Sequence, residues 1–343
     1  MYFTYAINTL KMFYQLFWYL MTIISFIINI FYFCSLSLPW ITLILILICI
    51  ISKFIKLKNP DKELIQSLLY RKSIEDEKNL LLWPIINKGG AFDYPENSVT
   101  AIKQCISQKC SNILLDLSIT SDGELIILHK STLEKANVNT AISQLQLSYF
   151  DNFNIVEHHP LGQHFKPEKI LTLKKLLQLL EKNDLTIFLL MSTVNAKIID
   201  ALKEVIGKNE KFTKQIVLCC SSPIAIYQLR KLYSNLVCGL WMEKTLLSKT
   251  PKYFNSSTIF LSICGAIFRN IIAPVIGVSV VFIHKDGFNT QISSLWQNVG
   301  VKPIVYTINS PNEKRYFQQV TKTQYLTDSL RSEPQIIFKA RRT

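Results

Sequence analysis

The sequence predicts an α/β fold: eight short strands separated by helices and closed into a (β/α)8 barrel, preceded by an N-terminal transmembrane helical hairpin. Three observations carry this prediction. Residues Met12 to Ser52 are 41 consecutive uncharged positions. From about Leu81, short runs of Ile, Leu and Val alternate with amphipathic stretches. Strands buried on both faces and separated by helices imply a parallel sheet. Eight of them over about 260 residues fit a TIM barrel. A doubly wound open sheet is the main rival, weakened because no G-x-G-x-x-G follows the first strand.

The uncharged stretch is about twice what one spanning helix needs. It carries a break at Ser35-Leu36-Ser37-Leu38-Pro39, and proline starts a helix more readily than it sits inside one. The reading is therefore two arms, 13–33 and 40–51, within a membrane segment 1–52. Trp18, Tyr19, Tyr32 and Trp40 could sit at its interfaces. A cleaved signal peptide fits poorly, because the apolar core is too long and lacks a small-residue cleavage site. Residues 53–80 form a basic linker containing Lys53, Lys56, Lys58, Lys62, Arg71 and Lys72. Positive residues after a span favour the cytosolic side for the chain beyond it. A glycosylation sequon at Asn255-Ser256-Ser257 points weakly the other way.

The barrel is expected over 81–335. Its predicted strands are Trp83–Asn87, Ile113–Ile119, Leu125–His129, Leu185–Met191, Gln215–Cys220, Val237–Trp241, Val278–Phe282 and Pro303–Ile308. Predicted helices include Ser98–Gln108, Thr172–Lys182, Ala196–Gly207, Ser222–Tyr233, Asn289–Asn298 and Pro311–Gln319. Leu173, Leu176, Leu177 and Leu180 show the spacing of one buried helical face. The apolar segment 258–276 reads equally as a barrel helix or as a surface helix lying on a bilayer. Arg269 and Pro274 argue against a further span.

Composition narrows the partners. Half the residues, 49%, are hydrophobic, and the net charge is +14. Mean hydropathy is +0.22, too apolar for an ordinary soluble chain. Few aromatics sit among the basic residues, which argues against a nucleic-acid groove; an anionic leaflet or a phosphate-bearing ligand fits better. The eight cysteines form no C-x-x-C pair and read as buried thiols. His158, His159 and His164, with Glu157, form a loop cluster in which a zinc site is the lesser reading, since adjacent histidines rarely point at one ion.

Asn87-Lys88-Gly89-Gly90 followed by Pro95-Glu96-Asn97-Ser98 resembles the opening of glycerophosphodiester phosphodiesterase barrels, where His-Arg-Gly ends the first strand and Pro-Glu-Asn-Thr follows. Leu114-Leu115-Asp116 is similar to the family's Glu-x-Asp. Thr120-Ser121-Asp122-Gly123 resembles its Thr-x-Asp-Gly turn, and Leu128-His129-Lys130 its His-Asp. Leu171-Thr172-Leu173, Val305-Tyr306-Thr307-Ile308-Asn309 and Leu326-Thr327-Asp328 continue the match in order. The apolar segments resemble the membrane-bound eukaryotic branch.

The resemblance implies a phosphoric diester hydrolase of lipid metabolism. It would release glycerol 3-phosphate from a glycerophosphodiester, or act on lysophospholipids, with Mg2+ or Ca2+ and two histidines. Residue by residue, it implies losses. Asn87 replaces the first catalytic histidine, and an amide cannot exchange a proton near neutral pH. Lys88 replaces the phosphate-binding arginine, keeping charge without the bidentate fork. Leu114 and Leu190 replace two metal carboxylates, and Ser192 replaces a lysine. His129, Asp116, Glu96 and Asn97 are kept. Asp116 could pair instead with Lys88. One carboxylate beside two leucines predicts no bound metal and an impaired enzyme. The alternatives are an active hydrolase or a non-enzymatic binder of lipid head-groups at the membrane. The sequence identifies no protein partner.

Overall fold

A computed structural model of the chain describes residues 2–69, 71–72, 80–81, 84–181, 183, 185–208, 212–243 and 256–331. Asn255 of the sequon and Trp83 of the first predicted strand lie outside these residues. The chain divides into two compact units, residues 1–55 and 56–343.

The first unit is one helix, α1 (Tyr2–Ile55). It is long and apolar enough to cross a membrane by length and composition. The predicted hairpin is corrected: α1 runs unbroken through Pro39. Proline removes only one N–H from the ladder. No glycine or polar loop lies nearby, and the Ser35 and Thr42 hydroxyls bond the carbonyls of Tyr32 and Pro39 within the same turns. At 54 residues the helix is roughly 80 Å long, far more than a hydrocarbon core of about 30 Å.

The second unit opens with α2 (Lys62–Leu69), inside the stretch expected to be linker. Leu64, Ile65, Leu68 and Leu69 make one apolar stripe against the barrel interior. The side-chain amides of Asn112 and Gln324 both donate to the Leu69 carbonyl, fixing this plug at the N-terminal end of the barrel.

The strands then follow as β1 (Ile85–Asn87), β2 (Asn112–Ile119), β3 (Leu125–Ile127), β4 (Leu171–Thr172), β5 (Thr186–Met191), β6 (Ile216–Cys220), β7 (Val237–Trp241), β8 (Val280–His284), β9 (Lys302–Tyr306) and β10 (Gln324–Thr327). Eight of them, β1, β2 and β5 to β10, pair in parallel and close through β10–β1 and β1–β2. The predicted strand Leu125–His129 is not one of the eight. It is the shorter β3, antiparallel to β2, because the Thr120–Glu124 turn is too short for a crossover. The eighth strand is β10, four residues with no Ile or Val run to announce it.

Helices cover the outer face. α3 (Val99–Ser107), α4 (Lys130–Lys135), α5 (Leu173–Leu180), α6 (Ala196–Lys208) and α7 (Pro223–Leu232) precede the apolar segment. That segment is α8 (Ser256–Ile267), a π-turn Phe268–Ile272 and α9 (Ala273–Ile276). α10 (Thr290–Asn298) and α11 (Pro311–Arg315) complete the ring. Ser98, Thr172, Ser222 and Asn289 cap their helices through side-chain oxygens, satisfying otherwise orphaned N–H groups. Inside the barrel, Ile85, Leu114, Phe188, Val217, Val280 and Ile304 form a packed hydrocarbon column.

Candidate functional site

In such barrels the C-terminal ends of the strands carry the chemistry. β1 ends at Asn87, and the chain turns sharply: Lys88 has φ 53, Gly89 φ 81 and Gly90 φ 95. Gly89 admits no side chain, since a Cβ there would stand 2.6 Å from that of Ala101 on α3. The turn is fixed by Lys88 N–H donating to Leu114 (2.6 Å) and by Asn97 N–H donating to the Lys88 carbonyl (2.9 Å). A left-handed lysine costs energy, of order 1 kcal/mol, that the surroundings must offset.

What the turn achieves is the placement of the Lys88 ammonium. Its Nζ lies 3.0 Å from Glu96 Oε2 and 3.5 Å from Asp116 Oδ2. Glu96 is also held through Oε1 by Lys135 (2.8 Å) and by the Thr132 hydroxyl (3.1 Å). Asp116 is clamped by fully buried Asn97, whose amide donates to Oδ2 (3.0 Å) and accepts from the Asp116 N–H (3.1 Å). Burial alone would lower the Lys88 pKa, but Asp116 and Glu96 outweigh it and hold the ammonium above its ordinary value. Burial would raise Glu96, yet Lys88 and Lys135 bring it down to about 2. Both groups are charged at neutral pH.

His129 stands beside this network as N-cap of α4. Its Nδ1 accepts from the Ser131 N–H (3.1 Å) and lies 2.6 Å from the Ser131 hydroxyl, which places the ring proton on Nε2. Burial, helped by Lys88 and opposed by Asp116, pushes its pKa below the ordinary imidazole value. The ring is neutral at pH 7, fit to donate a hydrogen bond but poorly charged for use as a general acid.

Strand register places Leu114 beside Asn87 and Leu190 beside Asp116. Leu114 is buried in the interior column, and Leu190 packs against it. A magnesium or calcium ion needs about six oxygen ligands, several of them anionic. Asp116 instead meets the Asn97 amide and the Lys88 ammonium, with Leu190 its neighbour in the sheet. Among the described residues no three His, Cys, Asp or Glu groups gather. The donor set does not fit the ion. Ser192, just after β5, is exposed in a groove with Ser118, Lys130 and Thr140. In the histidine cluster, His159 is tied to the Ala91 carbonyl (3.0 Å) and the Leu161 N–H (3.1 Å), and His158 packs on Phe153.

The opposite side of the mouth was largely missed by sequence reasoning. Asp328 accepts from Asn87 Nδ2 (2.6 Å) and Asn309 Nδ2 (2.8 Å). Trp241 stacks on Tyr306 at 4.5 Å, and His284 meets the same ring edge-on at 5.1 Å. Burial, with the Glu243 carboxylate nearby, pushes the Tyr306 hydroxyl up to about 12. The available signal was positional: Trp241, His284 and Tyr306 end β7, β8 and β9. Together the mouth offers an ammonium, amide and imidazole N–H donors, and an aromatic wall.

Comparison with known proteins gives the family. Residues 88–331 match the model of the glycerophosphoryl diester phosphodiesterase family. The chain is 28% identical over 256 residues to glycerophosphodiester phosphodiesterase 1 of Bos taurus, covering 72% of this chain and 77% of that protein. The Homo sapiens protein of the same name is 27% identical over the same length, with the same coverage. Among solved structures, a phosphodiesterase of Oleispira antarctica in complex with the product sn-glycerol-3-phosphate superposes with TM-score 0.58 at 16% identity. It covers 75% of this chain and 97% of its own. A glycerophosphoryl diester phosphodiesterase from Parabacteroides distasonis gives 0.55 at 13% identity, covering 83% and 94%. With the barrel closed and the family match running from Lys88 to Arg331, this chain belongs to the glycerophosphoryl diester phosphodiesterase family.

Proposed function

We propose that this protein is a membrane-anchored, glycerophosphodiester phosphodiesterase-like protein of lipid metabolism that binds phosphate-bearing head-groups and is impaired as a hydrolase. The carrying observation is Lys88: its ammonium already sits between Glu96 and Asp116, at 3.0 and 3.5 Å, with Lys135 as a second partner of Glu96. A divalent cation would have to displace that charge and would find hydrocarbon at Leu114 and Leu190. Asn87 offers an amide where proton transfer needs a base. The ligand would be a glycerophosphodiester or the head of a lysophospholipid, its phosphate toward Lys88 and the His129 Nε2–H. The long apolar α1 and the lysines after it support the anchoring, with the cytosolic side favoured by charge.

A second reading, an active hydrolase, is favoured by one observation: His129 and Asp116 remain together at the mouth. One assay separates the two. The full chain, in lipid nanodiscs, is given glycerophosphocholine or lysophosphatidylcholine with Mg2+, Ca2+ or EDTA. Turnover absent or indifferent to EDTA, with glycerophosphocholine binding that weakens in Lys88→Gln, is the expected result. Metal-dependent turnover abolished by His129→Ala would sink the impaired reading.

A further inference from the structure

The apolar segment after β7 behaves unlike the other barrel helices. α5 buries Leu173, Leu176 and Leu180, and α7 buries Ala225, Ile226, Leu229 and Arg230. Between Ser262 and Ile272, by contrast, no residue is buried. Ile263 is 53% exposed, Ile267 46% and Ile272 39%. These three share one face. Ile263 and Ile267 are one α-turn apart. The π-turn Phe268–Ile272 then closes on the fifth residue, which returns Ile272 beneath Ile267 instead of carrying it round the helix. An exposed apolar stripe of this kind marks an interaction surface.

The lower end of the segment is anchored. Ala273 and Ile276 are buried, and Pro274 and Arg269 interrupt the apolar run. The segment is therefore fixed along the barrel flank and does not read as a span. Its anchorage also involves the chain just beyond α1. Leu57, two residues after that helix ends, donates its N–H to the Val275 carbonyl (3.2 Å), and the buried Arg230 guanidinium bonds the Lys58 carbonyl. The apolar flank thus meets the chain only two residues after the long apolar helix. Lys53, Lys56, Lys58 and Lys62, all exposed, flank that junction in sequence and suit anionic lipid.

We propose that the face carrying Ile263, Ile267 and Ile272 is a second bilayer contact: α8 lies in the plane of the membrane interface and seats the barrel on its flank. The occupant is lipid because the same chain junction carries the apolar helix and the lysines; a second copy of this chain is the alternative the test must exclude. The proposal rests on the membrane anchoring of α1 for its choice of bilayer. Because α8 begins on the mouth side, after β7, and ends at the opposite rim, before β8, a barrel seated this way opens its mouth along the surface, level with lipid head-groups.

The test uses the full chain in phosphatidylcholine/phosphatidylserine vesicles, with Cys34, Cys49 and Cys264 replaced by serine. A nitroxide is attached singly at Phe26→Cys in α1, Ile267→Cys in α8, or Lys175→Cys on the opposite flank. Collisions with oxygen, which concentrates in lipid, are compared with those of a water-borne nickel chelate. The expected result is oxygen dominant at 26 and 267 and nickel dominant at 175. Nickel dominant at 267 with oxygen dominant at 26 overturns the seating and leaves the anchor standing. Oxygen dominant at 267 but not at 26 removes the anchor and keeps the seating. Poor access of both at 267 means protein covers the face, and overturns the seating in favour of self-association.

Discussion

At the residue scale, one ammonium holds two partly or fully buried carboxylates, and the consequences are measurable. Glu96 is held at about 2, below its ordinary 4.5, because Lys88 and Lys135 outweigh its burial. A depressed carboxyl stabilises the fold above its unfolded pKa and loses that contribution as pH falls toward the folded value. The window is therefore pH 4.5 down to about 2, and the loss is at most about 3 kcal/mol. Urea unfolding across that range should show the decline in the parent chain. Glu96→Gln should be less stable at pH 7 and nearly flat below 4.5. A parallel decline in both would assign the acid sensitivity elsewhere. The sequence made this network partly legible. Lys88, Glu96 and Asp116 lie within 29 residues of one another, and their pairing could be guessed from charge. What could not be read was Asn97 as the clamp on Asp116, because it depends on a left-handed backbone, φ 60, that no local pattern demands.

At the element scale, periodicity and caps located most helices to within a residue or two, because those signals are local. Connectivity was harder. Asp122-Gly123 is legible as a turn, and a turn that tight forces β3 antiparallel, so a strand does form at Leu125–Ile127 but cannot be one of the eight parallel strands. β10 escaped because Gln324 and Thr327 interrupt its apolar pattern: Gln324 bonds the plug helix and Thr327 bonds Asn309. Pro39 misled because a proline's cost is fixed while its neighbours decide whether the helix continues. One position tests how the elements lock together. Gly277, after α9, has φ 73, and a Cβ there would lie 3.0 Å from Arg230 Nε. Gly277→Ala should lose about 2–3 kcal/mol in urea unfolding, from strain in the left-handed region and from displacing the guanidinium off its carbonyls. A loss under about half a kcal/mol would show that Arg230 can shift without cost.

At the scale of the whole molecule, barrel closure brings β1 next to β10 and β2 next to β5, and so makes a single site from Asn87, Asp116, Leu190 and Asp328. The leucines at positions 114 and 190 can be tested as a pair. Leu114→Glu with Leu190→Glu should destabilise the chain in EDTA, since buried unpaired carboxylates are costly. Millimolar Ca2+ should recover several degrees of melting temperature, through the linkage of metal binding to folding. The parent chain should not respond to Ca2+. Equal melting curves for the double variant with and without Ca2+ would show that these positions do not converge on one ion. The sequence by itself determined the alternating layers, the barrel class, the apolar N-terminus and the order of the family's motifs, because each is written in local periodicity or in a short contiguous string. Only the tertiary structure decided which strands close the barrel, that α2 plugs it, and that Asp328, Trp241, His284 and Tyr306 complete the mouth. Those features depend on contacts between residues as far as 255 positions apart, such as Gln324 with Leu69 and Asn87 with Asp328, and pairings at that distance leave no mark in a local pattern.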